Sequence, residues 1–105
     1  MHLDDKDILN KSIATIYVGK LLDFSIADQV FRICNMAKKP MIKIILIDFT
    51  KTYQIMDSGL AMLSILEKHT KHQIQTINFI NYKPMIKKIL MDKYFNCGNR
   101  DYELA

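Results

Sequence analysis

The chain has 105 residues, half hydrophobic and a quarter charged, which is the composition of one globular domain (1–105) able to bury a core rather than of a disordered segment. Its net charge of +4 rests on scattered lysines, densest at Lys83, Lys87 and Lys88, without the aromatic interleaving or motif of a nucleic-acid binder. No apolar run approaches the roughly 18 residues of a membrane span, and the N-terminus MHLDDKDIL is acidic where a secretory signal would be basic. The expected compartment is therefore the cytoplasm, with no insertion into a membrane.

In chain order, residues 3–9 are a candidate N-terminal edge strand, and residues 13–18 (IATIYV) are a short β-branched strand ending at Gly19. Ser25 is placed to cap a helix whose apolar residues Ile26, Val30, Ile33, Cys34 and Ala37 follow the spacing of one buried face. Phe31 falls off that face, and Lys38-Lys39-Pro40 stops the helix with cations at its negative end and a ring that cannot continue it. Residues 41–49 (MIKIILIDF) are nearly continuous in hydrophobicity, the pattern of a strand covered on both faces. A loop at 50–56 leads to a helix over about 58–69, then a strand at 73–80. Pro84 suits the first turn of a helix carrying Ile86, Ile89 and Leu90, and residues 95–105 are turn-rich with a short edge segment. The alternation predicts an α/β domain: a small, mostly parallel β-sheet with helices mainly on one face.

Candidate chemistry is sparse. Asp48 closes the central strand, where open α/β sheets place functional groups and where a receiver domain carries its phosphoacceptor. A receiver also needs an acidic pair after its first strand, and Asp4-Asp5 precede that strand instead, so Asp48 is equally a carboxylate that orders its loop. The His69-x-x-His72 pair lacks a third metal ligand, and Ser58 has neither a positioned base nor a G-x-S-x-G elbow. Cys34 and Cys97 form no CxxC and read as reduced thiols. The chain is accordingly read as non-enzymatic, with no cofactor and no metal. Asp57-Ser58-Gly59 stands apart: Asp57 is placed to accept from the first N–H groups of the following helix, and Gly59 to permit close packing.

IYVGKLLDFSIADQV, IKIILIDFTKTYQIMDSGLAMLSIL and INFINYKPMIKKIL together resemble the STAS family, shared by sulfate transporters and anti-sigma factor antagonists. The middle segment, with its spacing from Asp48 to Gly59, is the most specific. The resemblance implies a partner-binding loop of the form Asp-Ser/Thr-x-Gly-Leu, whose hydroxyl residue is phosphorylated by a serine kinase that is itself the anti-sigma factor. On this chain the implied contact residues are Met56, Asp57, Ser58, Gly59 and Leu60, with Asp48 nearby. A gapless count puts the family aspartate at Met56 and the acceptor at Asp57, a fixed negative charge. A single-residue deletion in the loop would instead make Ser58 the acceptor. Leu22 also stands where many members have an aspartate, unless Asp23 serves. The resemblance carries a second implication, an accessory subunit or regulatory domain of a membrane transporter, of the lipid-transport ABC or sulfate-type anion class.

Overall fold

The computed structural model describes residues 13–36, 42–71, 76–95 and 103–104. The expected strand at 3–9, the Lys38-Lys39-Pro40 stop, His72 and Cys97 lie outside the described residues. In order, the elements are β1 (Ile13–Tyr17), β2 (Leu21–Leu22), a 3-10 turn (Phe24–Ile26), α1 (Ala27–Met36), β3 (Ile44–Asp48) and β4 (Gln54–Ile55). They continue with α2 (Asp57–Thr70), β5 (Thr76–Ile80), α3 (Pro84–Leu90) extended by a wide π-type turn (Met91–Phe95), and β6 (Glu103–Leu104).

β1, β3, β5 and β6 form one sheet in that spatial order, and β2 pairs with β4 in a separate ribbon. Every described pairing is parallel, with Tyr17 level with Asp48 and Asp48 with Ile80 at the carboxyl end. Strand order advances in one direction, and right-handed crossovers then put α1, α2 and α3 on the same face of the sheet. This is the small α/β fold expected from the hydrophobic periods.

Strand alternation sends Ala14, Ile16, Ile45, Ile47, Ile77 and Phe79 to the helix-covered face, where all are buried. They join one core with Val30 and Ile33 of α1, Leu63 and Leu66 of α2, and Ile86 and Leu90 of α3. Phe49 and Phe79 meet edge to face, with centroids 5.8 Å apart, and Tyr94 closes the far side of Phe79.

Two expectations are corrected here. β3 is not covered on both faces: Ile44, Leu46 and Asp48 are only half-buried, because no described helix crosses that side. Its unbroken apolar run reflects a second face that is apolar without being enclosed. Nor does Ser25 cap the first helix. The chain enters it through the 3-10 turn, whose cap is Asp23, accepting from the Ser25 N–H at 2.9 Å. The Ser25 hydroxyl first, and then that backbone bond, hold the Asp23 carboxyl below the usual carboxylate range. Among the described residues no helix is long and apolar enough to cross a membrane.

Candidate functional site

The carboxyl ends of β1 and β3 feed two segments that run side by side toward the start of α2. The Val18 N–H donates to the Asp48 carbonyl and the Phe49 N–H to the Ile80 carbonyl, both at 3.0 Å, so the sheet is held to its last residue. The chain then turns at Thr52, whose N–H donates to the Phe49 carbonyl at 2.9 Å. The Thr52 side chain is fully buried, and its hydroxyl donates to the Gly19 carbonyl at 2.7 Å. Next, the Tyr53 N–H reaches the Lys20 carbonyl and the Met56 N–H reaches the Leu22 carbonyl at 2.8 Å, framing the β2–β4 pair. The region expected as a loop at 50–56 is therefore stitched to residues 19–22 along most of its length.

Asp48 organises the other side of this turn. Its Oδ1 accepts from the Thr50 N–H at 2.8 Å, from the Thr50 hydroxyl, and at 3.4 Å from the amide of Asn81, which sits at φ 58°. Partial burial works against the charged form, but the Thr50 and Asn81 donors outweigh it and hold the carboxyl below its usual range. Lys83, at the cap position of α3, donates from Nζ to the Thr50 and Thr52 carbonyls, each at 3.1 Å. Asp48 thus orders its loop, one of the two roles open to it from the sequence.

The helix that follows begins differently from the sequence expectation. Met56, extended at φ −105°, is the cap residue of α2, and no side chain completes the cap. Its carbonyl accepts from Gly59 at 3.0 Å and Leu60 at 3.2 Å. Asp57 is the first residue inside the helix and does not cap it, which corrects that expectation. The tether of Met56 to Leu22 decides the start, one residue before Asp57. Asp57 still stands in the first turn, where the helix dipole favours a negative charge.

Of the six implied contact residues, Asp48 sits at the end of β3 and the other five form the start of α2. Met56, Asp57 and Ser58 are exposed, Leu60 is half-buried against the core, and Gly59 is buried. Gly59 has to be glycine, since a Cβ there would fall on the Leu22 carbonyl oxygen and 2.6 Å from Leu22 Cγ. Phe24 and Tyr53, 68% and 49% exposed, are large apolar side chains of the segments framing this turn. Both were missed in the sequence, and short irregular segments offer no period that would have separated them from core residues.

Chemically, the site presents a carboxylate and a hydroxyl at the start of a helix. Ser58 and His69 lie at opposite ends of α2, about 16 Å apart by helical rise, and His69 Nδ1 donates to the Ile65 carbonyl at 3.0 Å. No serine–histidine pair can form between them. No protein-family model, no curated protein and no solved structure matches the chain.

Proposed function

We propose that this chain is a non-enzymatic regulatory module of the anti-sigma factor antagonist type, working in the cytoplasm and docking a serine-kinase anti-sigma factor on the first turn of α2. The observation that carries the reading is the exposure of Asp57 and Ser58 on that turn while Gly59 is locked beneath Leu22. Such a turn is rigid in its backbone and free in its side chains, which suits a surface that must be recognised and then altered. Met56, Phe24 and Tyr53 supply exposed apolar area for a partner's core contacts.

The switch is electrostatic. A phosphoryl group on Ser58 would add roughly −2 charge where the helix dipole accepts it, so the fold would persist. A partner seated on the same turn would meet that charge at close range and lose affinity. The cap position of Met56 supports the gapless register, in which Asp57 takes the acceptor's place and Ser58 is the remaining hydroxyl, so the docked partner accommodates the single Asp57 charge and is released by the further charge on Ser58.

Incubation with a serine-kinase anti-sigma factor and ATP, followed by mass mapping, tests the reading. Modification at Ser58 with loss of binding establishes the switch. Binding without modification establishes a constitutive antagonist, and absence of binding overturns the proposal. Co-purification with a membrane transporter complex, lost on changing Asp57 or Ser58, would favour the transporter-subunit reading instead.

A further inference from the structure

β1 and β3 end level with one another, Tyr17 beside Asp48, and their continuations diverge. Between them lies a half-open cleft of about 250 Å³ lined by Tyr17, Val18, Gly19, Asp48, Thr50 and Lys51. The carboxyl ends of parallel strands are where open α/β sheets take ligands. All three hydrogen bonds to the Asp48 side chain fall on Oδ1, leaving Oδ2 without a partner among the described residues. Lys51 is exposed and its ammonium likewise pairs with nothing among them. The cleft is thus lined by one acidic and one basic residue that form no ion pair with each other.

We propose that this cleft binds a small zwitterion of the α-amino-acid class, its ammonium on Asp48 Oδ2 and its carboxylate on Lys51. A simple cation would be repelled by Lys51 and a simple anion by Asp48, whereas a zwitterion meets both with the right sign. The volume of about 250 Å³ suits a small ligand, below the range of about 300–1,000 Å³ typical of drug-sized ones. Tyr17, 59% exposed, offers a ring for an apolar or aromatic ligand side chain. A Cβ built on Gly19 meets nothing within 4 Å, so the cleft is open above it. The cleft shares Asp48 with the implied contact residues but none of residues 56–60.

Titration of the full chain with free L-phenylalanine and L-leucine, followed by ¹H–¹⁵N NMR, tests it. At about 10 mM ligand, shifts are expected at the amides of Tyr17, Gly19, Thr50 and Lys51, with a dissociation constant on the order of 1 mM. N-acetyl-phenylalanine lacks the ammonium and phenylalanine amide lacks the carboxylate, and each is expected to bind roughly tenfold more weakly. Lys51→Gln should weaken the free amino acid similarly, and Gly19→Val, which fills the cleft, should abolish binding with the fold intact by thermal unfolding. No shift at these amides, equal binding of the blocked compounds, or binding that survives both variants overturns the proposal.

Discussion

Two glycines differ sharply in what a methyl group would meet, and the difference sets opposite predictions. At Gly59 the added Cβ collides with the backbone of Leu22, which is itself held by the Met56 N–H. Alanine's helix propensity is worth about 1 kcal/mol over glycine, but overpacking against backbone costs about 1–3 kcal/mol or more. Gly59→Ala should therefore lower the urea midpoint, at a net cost of about 1–2 kcal/mol in unfolding free energy. Gly19→Ala should be neutral or stabilising by up to about 1 kcal/mol, since its neighbourhood is open and its φ is not positive. Equal effects at both sites would contradict this packing. Met56 supplies a third case: it holds the cap position of α2 with no side-chain cap bond, so Met56→Asp should raise stability by about 1 kcal/mol. From the sequence, Gly59 was legible as a close-packing position, but the cap was not. Asp57 is the better cap former, and only the tether from Met56 to Leu22 moves the helix start one residue earlier.

At the scale of elements, the turn after β3 is held from two sides, by Thr52 on Gly19 and by Lys83 on the Thr50 and Thr52 carbonyls. Lys83→Met should cost about 1 kcal/mol in unfolding free energy, the net worth of an exposed, charge-assisted contact, and should raise amide exchange at 50–53 more than in α2. Asp48 adds a pH dependence whose sign follows from its depressed acidity. Its stabilisation is complete above the 3.8 of an unperturbed aspartate and fades as pH falls through the lower folded value. The stability gap between the natural chain and Asp48→Asn should thus be largest near neutrality and shrink in acid. A gap that stays constant from pH 7 to pH 3 would contradict the Thr50 and Asn81 contacts. The long elements were legible because strands and helices of that length carry a period. The β2–β4 ribbon was not, since the pairs Leu21-Leu22 and Gln54-Ile55 are too short to show one. They are strands only because Lys20 and Leu22 accept from the opposite segment.

Across the whole molecule, one core spans the sheet and helices α1, α2 and α3, so a loss inside it is expected to be global while a change on the exposed first turn of α2 is local. Leu66, fully buried, sits on the same helix as the exposed Ser58. Leu66→Ala should cost about 2–5 kcal/mol, and Ser58→Ala less than about 0.5 kcal/mol, by urea unfolding. The parallel order of the sheet was readable from alternating elements, because right-handed crossovers leave few other arrangements. The open second face was expected for the sheet as a whole, but not for β3 itself, because Ile44 and Leu46 are as apolar as core residues. The central claim, a partner-docking turn at the start of α2, is tested most directly by calorimetric titration of the unmodified chain with a serine-kinase anti-sigma factor. Saturable binding that survives Ser58→Ala and weakens at least about tenfold in Ser58→Glu, from added negative charge against a seated partner, is the predicted result. No heat of binding, or equal affinity for both variants, would contradict it.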